Sequence, residues 1–489
     1  MSHQDRHERA PILDALAEED RQPHLSFTPP GHRQGRGADP RVLKALGSDV
    51  FKHDLLAIGN LDDRAARGEL LKDAEALMAD AVGADAAFFS TCGSSLSVKA
   101  AMLAVAGRSS SLLLGRDAHK SAIAGLVLGG IQPRWIRPQW DADLHLAHPP
   151  SEESVRRELE QNPDVGGVMV TSPTPYGTCA DLRSIAAACH EHDKPLLVDE
   201  AWGAHLPFHD DLPTWAMDAG ADLCVVSGHK MGAGLEQGSV FHVRGDRIDL
   251  AHLSECADML STTSPSVLVY AALDGWRRQM VQQGELLLSA ALDLTRSVRA
   301  DIDSIDGLSV MSDQLIRAEA SHELDPLHLV IDVQDLGISG YQAADWLREN
   351  RYLDVHLSDH RRIEAQISFA DSQETSKVLI SALEALARHA DTLPPPKKVE
   401  VPDPAGLDLE IALNPRDAFF AHVEDVPAQA SVGRIAAEQI TPYPPGIPVI
   451  LPGERINQAV VDYLTTGLRA GMFIPDAASA DLSTVRVVA

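Results

Sequence analysis

Four short segments hold residue types that do chemistry when brought together: STCGSSLS (90–97), GRDAHKS (115–121), VDEAWGAH (198–205) and VVSGHKMGAGLEQGS (225–239). Lys230 follows the apolar run LCVVS and precedes Gly232, Gly234 and Gly238. Glycines let backbone approach a planar ligand closely. A lysine partly withdrawn from water has a lowered pKa and serves as an amine nucleophile, whereas on a wet loop it would be an ordinary surface residue. Asp199 closes the apolar run PLLVD, 31 residues before Lys230. A carboxylate there needs a cation or strong donors. A protonated pyridine nitrogen would serve; so would a helix N-terminus or a structural ion pair. The interval has room for one crossover, so both side chains can address one crevice. Gly93, Ser94 and Ser95 lie between AAFFS and an apolar helical stretch, where N–H groups and hydroxyls bind phosphate or simply cap the helix. His119 opens a helix after SLLL and can stack on a flat heteroaromatic ring or cap that helix. Lys120 beside it is a rival amine, but the glycine-rich surroundings and the spacing from Asp199 favour Lys230.

One ligand satisfies the whole set. A phosphate cradle, a carboxylate for a ring nitrogen, a stacking imidazole and a buried lysine are the contacts that pyridoxal 5′-phosphate requires. The chain lacks GxGxxG and GxxxxGK[ST], so neither a dinucleotide nor a P-loop reading has support.

The elements that must position these residues follow from the hydrophobic pattern. From about residue 70 to 245, short apolar runs alternate with helical stretches: AAFF, SLLL, GGVMV, PLLVD, LCVVS and GSVFHV, separated by segments such as LSVKAAMLAVAG and DLRSIAAACHEH. Runs without alternation predict strands buried on both faces. Strands separated by helices predict a largely parallel, doubly wound α/β sheet, which places ligands at strand edges. A short amphipathic helix is expected over residues 8–20, a loop at 26–40, a helical stretch after TTSPS (262–266) to about 300, and a smaller α/β unit over 326–390. DTLPPPKKVEVPDP (391–404) reads as a linker. The expected division is an N-terminal arm (1–30), a cofactor-binding large domain (31–300), a small α/β domain (301–390), the linker, and a C-terminal domain (405–489).

Composition narrows the classes. Of the 489 residues 44% are hydrophobic and 23% charged, an ordinary globular mix. A net charge of −29 argues against nucleic acid or an anionic membrane as the main partner and suits a cationic substrate or an acidic setting. Five cysteines (Cys92, Cys179, Cys189, Cys224, Cys256) show no CxxC spacing, so neither a zinc site nor a disulfide framework is expected. No apolar signal core or spanning segment stands out, and a cytoplasmic protein without metal is the expectation.

The chain resembles the fold-type I pyridoxal-phosphate decarboxylases of the ornithine/lysine/arginine family, in the short form without an N-terminal wing domain. The motifs are PPGHRQG (29–35), FFSTCGSS (88–95), DAHKS (117–121), TSPTPYGTCADL (171–182), VDEAWGAH, SGHKMGAGLEQGS (227–239), TTSPS and TPYPPGIPVILPGE (441–454). The resemblance implies an aspartate-aminotransferase-like large domain with small and C-terminal domains. It implies Lys230 as the lysine that forms an imine with the cofactor, with Ser227, His229, Ser94 and Ser95 in the phosphate region. His119 stacks on the ring, Ala201 lies on the opposite face, Asp199 pairs with the ring nitrogen, and Trp202 lines the site. The implied activity is decarboxylation of arginine, lysine or ornithine to the corresponding amine. The rival activities for the same cofactor site are aminotransferase, lyase or oxidase. A homodimer or higher homo-oligomer with shared sites is implied, TTSPS reaching the neighbour's cofactor. Two positions depart from the family pattern: Cys92 stands before Gly93, and Gly228 stands before the His-Lys pair. Glu454 is read as a helix cap or as a partner for a substrate's distal cation, and His205 and His209 as structural.

Overall fold

The computed structural model describes the chain except residues 1–5, 22–24, 26, 56–68, 107–108, 317–320, 403–405 and 444–445. Pro444 and Pro445 of the TPYPPGIPVILPGE segment therefore lie outside the described residues. The fold divides into two compact units, residues 1–104 with 195–286, and residues 105–194 with 287–489.

In the first unit, strands Ala86–Ser90, Ser239–Val243, Leu223–Ser227 and Leu196–Asp199 lie side by side in that order. The last three are buried along their whole length, which is why the sequence shows apolar runs there instead of alternation. Leu196–Asp199 and Leu223–Ser227 pair in parallel, with Asp199 opposite Val225. Ser239–Val243 departs from the parallel expectation and runs antiparallel to both neighbours. Only residues 228–238 connect it to the preceding strand, too short for the helical crossover that a parallel return needs.

The helix expected over 8–20 forms at Pro11–Arg21, with proline at its first position, where a missing N–H costs nothing. The stretch after TTSPS forms a helix of 37 residues, Val267–Asp303. Near its start Arg277 is fully buried. Its guanidinium donates to Asp274 (2.7 Å) and to the carbonyls of His7 (3.1 Å) and Arg9 (2.6 Å). Asp274 in turn accepts the N–H of Ile12 at 2.9 Å. The buried charge is tolerated because both terminal nitrogens meet acceptors, one of them a carboxylate, although the Nε–H finds none.

In the second unit, strands Val168–Thr171, Ser111–Gly115 and Gln132–Ile136 are parallel. Helix Lys120–Gly129 supplies the crossover between the last two. A separate antiparallel sheet is ordered Ser309–Met311, His328–Asp332, Arg362–Gln366, Leu357–Ser358. Helices Gly340–Arg351 and Gln373–His389 cover it around Leu329, Ile331, Leu347, Ile363, Leu383 and Leu386. Residues 394–402 carry no regular structure. Beyond them, helix Gln458–Ala470 and the strand pair Val423–Pro427 with Thr484–Val488 enclose a further core built on Ile440, Ile450, Val460, Leu464 and Val487. Among the described residues no helix is long and apolar enough to cross a membrane.

Candidate active site

The first unit gathers most of the expected residues at the ends of its central strands. Leu223–Ser227 ends at Ser227, and a turn in which the Lys230 N–H donates to the Ser227 carbonyl (3.1 Å) presents the lysine. The Lys230 Nζ lies 3.7 Å from the centroid of the Trp202 ring. Lys230 keeps some exposure, yet burial of the ammonium pulls its pKa down to about 8, opposed by the charge of Asp199. Asp199 is buried at the end of its strand and accepts the Ala201 N–H at 3.3 Å. Burial pushes its carboxyl above the usual range, and Lys230 and that N–H oppose the shift. Each group thus perturbs the other, a pattern characteristic of functional sites.

Ser227 is fully buried and donates its hydroxyl proton to the Ser94 Oγ at 2.8 Å. Ser94 opens helix Ser94–Ala106, and Ser95 beside it is exposed. Gly93 has φ +76°, and a Cβ there would meet only the Ser95 nitrogen, at 3.8 Å. The turn therefore leaves space beside N–H groups at a helix start, as an anion site requires. The His229 Nδ1–H donates to the Gly238 carbonyl at 3.2 Å, which fixes its tautomer. Ala201 is buried next to Asp199.

The glycines after Lys230 have a different reason from the one the sequence suggests. A Cβ on Gly228 would sit 2.6 Å from Leu273 Cδ2, and one on Gly232 would sit 2.5 Å from the Gly228 carbonyl and 2.7 Å from the Trp276 ring. They let the loop fold onto itself and onto helix Val267–Asp303, which also accounts for Gly228 before the His-Lys pair. Cys92 is partly buried beside a small apolar cluster with Leu96, Ala100 and Cys256. His205 is buried, and His209 accepts the Asp211 N–H at 3.1 Å through Nδ1.

His119 belongs to the second unit. It caps helix Lys120–Gly129, its Nδ1 accepting from the Ser121 N–H (3.3 Å) and Ser121 Oγ (2.9 Å). In the neutral ring the proton then sits on Nε2. The capping role raised from the sequence is therefore real, and it fixes which nitrogen carries hydrogen. The rival amine, Lys120, is held by both oxygens of Asp476 at 3.1 and 3.2 Å. Glu454 does not cap a helix; its carboxylate is paired with a cation of the chain itself. It is buried, receives Arg116 Nη2 on both oxygens at 3.2 Å, and accepts the Leu451 N–H at 2.9 Å. Arg116 also donates to the carbonyls of Pro448 (2.7 Å) and Val449 (3.3 Å). Sequence reasoning missed Arg116; its only signal was its place in GRDAHKS, because its partners lie more than 330 residues away.

The donor set of the first unit fits pyridoxal 5′-phosphate: an amine with lowered pKa, a buried carboxylate without a full set of donors, and hydroxyls with N–H groups at a helix start. Residues 10–375 match the family Orn/Lys/Arg decarboxylase, major domain, and residues 405–475 match Orn/Lys/Arg decarboxylase, C-terminal domain. The chain is similar to the arginine decarboxylase of Halalkalibacterium halodurans, 37% identical over 486 residues, covering 99% of this chain and 98% of that protein. It is similar to the arginine decarboxylase of Bacillus subtilis, 36% identical over 471 residues, covering 96% and 95%. Its fold is similar to the constitutive lysine decarboxylase of Escherichia coli, with TM-score 0.81, 22% identity, and coverage of 99% of this chain and 82% of that one. The chain belongs to the ornithine/lysine/arginine decarboxylase family and is a fold-type I, pyridoxal-phosphate-dependent decarboxylase of a basic amino acid.

Proposed function

We propose that the substrate is L-arginine and the products agmatine and carbon dioxide, with Lys230 as the cofactor-binding lysine. The observation that carries the catalytic assignment is the Lys230–Asp199 pair, a partly exposed amine and a buried carboxyl, each driven toward its neutral form by loss of water. The choice of arginine is supported by four relatives that are arginine decarboxylases, 35–37% identical to this chain.

When bound, pyridoxal phosphate supplies an electron sink for the breaking bond between Cα and the carboxylate. The residues of the chain do the rest. Lys230 sheds its proton more readily than an ordinary lysine, so its Nζ would be the neutral amine that holds the cofactor. Asp199, whose buried anion needs a cationic partner, would hold a proton on the ring nitrogen. Ser94, Ser95 and Ser227, with the N–H groups at the start of helix Ser94–Ala106, hold the phosphate, and His229 borders that region. Ala201 leaves room against one face of the ring. His119 takes the other face, a role resting on the DAHKS motif. Trp202 shields the Lys230 Nζ from water. Once carbon dioxide has left, the Lys230 Nζ delivers a proton to Cα.

The same reading includes a cytoplasmic homodimer or higher homo-oligomer in which TTSPS reaches the neighbouring subunit's site. It also includes the division into a large domain to residue 300, a small domain to 390 and a C-terminal domain from 405. Incubation with arginine, lysine and ornithine, with the amines identified by mass spectrometry, tests the substrate. Agmatine as the main product is expected; cadaverine or putrescine in its place would overturn arginine, and no amine from any of the three would overturn the catalytic assignment.

A further inference from the structure

The Arg116–Glu454 ion pair lies at the centre of a set of contacts that converge on His119. Arg116 immediately follows strand Ser111–Gly115, and its guanidinium reaches the segment Gly446–Glu454 at three places: the Pro448 carbonyl, the Val449 carbonyl and the Glu454 carboxylate. At the near end of that segment the Gly446 carbonyl accepts the Lys120 N–H at 3.1 Å. Gly446 has φ +90°, and a Cβ on it would lie 3.1 Å from both Cδ2 and Nε2 of His119. From the other side Ser121 holds Nδ1 through two hydrogen bonds. The imidazole is therefore gripped at Nδ1 by its own helix and backed at the Cδ2–Nε2 edge by Gly446. Gly446 also donates its N–H to the Pro442 carbonyl at 3.2 Å, and the clasp two to eight residues further on anchors the segment that follows it.

We infer that Glu454 is a positioning residue: through Arg116 it holds Gly446 against His119 and so sets the plane of the imidazole. Both Glu454 oxygens are engaged by Arg116 and one also by the Leu451 N–H, so the carboxylate already has a cation of the chain itself as its counter-charge. Both side chains are largely withdrawn from water, at 16% and 2% exposure, so neutralising one leaves the other buried without its counter-charge. The inference rests on the reading that His119 contacts the cofactor ring.

A double-mutant cycle on cofactor affinity tests it. The dissociation constant for pyridoxal phosphate is measured by equilibrium dialysis on the full chain for the parent, His119→Ala, Glu454→Gln and the double variant. Each single change is expected to weaken binding about tenfold, and the double variant is expected to bind within about twofold of His119→Ala, because neighbours that act through one another are non-additive. Full additivity would assign Glu454 a general structural role and overturn the inference. A His119→Ala variant that binds as the parent does would instead overturn the reading of His119. A second readout, the nitrogen-15 shifts of His119 in cofactor-free protein, is expected to change in Glu454→Gln; unchanged shifts would also overturn the inference. Should Glu454→Gln fail to fold, Arg116→Lys, which keeps the charge but loses the fork, goes through the same cycle with the same expected outcomes.

Discussion

The Lys230 ammonium nitrogen lies over the face of the Trp202 indole, 3.7 Å from the ring centroid, while Asp199 is the charge that opposes its loss of a proton. The ring face favours the protonated amine, by about 1 kcal/mol for a partly desolvated pair; burial disfavours it and wins. Burial thus pulls the amine's pKa down to about 8.

Capture of pyridoxal phosphate by cofactor-free protein should therefore speed up with pH and level off above about 8. An ordinary lysine would level off only above about 10.4. Because the Asp199 charge raises the Lys230 pKa, Asp199→Asn should move the midpoint to lower pH. Stopped-flow absorbance of imine formation measures both midpoints, and a parent midpoint near that of a free lysine would contradict the desolvation argument.

Asp199→Ala should lower turnover far more than it lowers cofactor affinity. A loss of about a hundredfold or more in turnover is expected, the scale of removing one preorganised electrostatic partner. Paired measurements of carbon dioxide release and cofactor dissociation constant decide the point; turnover within twofold of the parent would refute the role.

Ser227→Ala removes the hydroxyl that donates to Ser94. Loss of a hydrogen bond in a charged phosphate site costs about 1.5–3 kcal/mol, so cofactor affinity should fall about tenfold or more. Ser94→Ala should act similarly, and the pair should be less than additive. Equilibrium dialysis of the two single variants and the double variant checks this.

His328 is buried between Glu364, 2.9 Å from Nδ1, and Asp325, 3.6 Å from Nε2, with Arg299 the opposing charge. Burial disfavours its charged form, but the two carboxylates outweigh that and raise its pKa. A histidine whose pKa is raised on folding contributes stability that is full below about 6.5 and lost as pH rises through the folded value. His328→Gln should therefore lower the melting temperature, by more at pH 6 than at pH 9. Thermal melts at the two values would contradict this if the difference were constant.

Much of this architecture was legible in the sequence because strands buried on both faces leave uninterrupted apolar runs. LCVVS and PLLVD pointed directly to the ends where Lys230 and Asp199 stand. What stayed hidden depends on partners remote in the chain. No local pattern announces that Lys120 is held by Asp476, or that Arg116 engages Glu454, since those contacts span more than 330 residues. The antiparallel run of Ser239–Val243 was also missed, because connection length and not residue pattern decides it. The glycines after Lys230 were visible, but their reason, the crowding by Leu273 and Trp276, was not.

The burial of Arg277 has a practical consequence for handling the protein. Two of the groups that satisfy its guanidinium are main-chain carbonyls of His7 and Arg9. A protease cut or a trimmed expression vector that deletes the first dozen residues would leave the buried guanidinium with Asp274 alone in place of its carbonyl acceptors. Affinity tags therefore belong ahead of this segment or at the opposite terminus, never in its place.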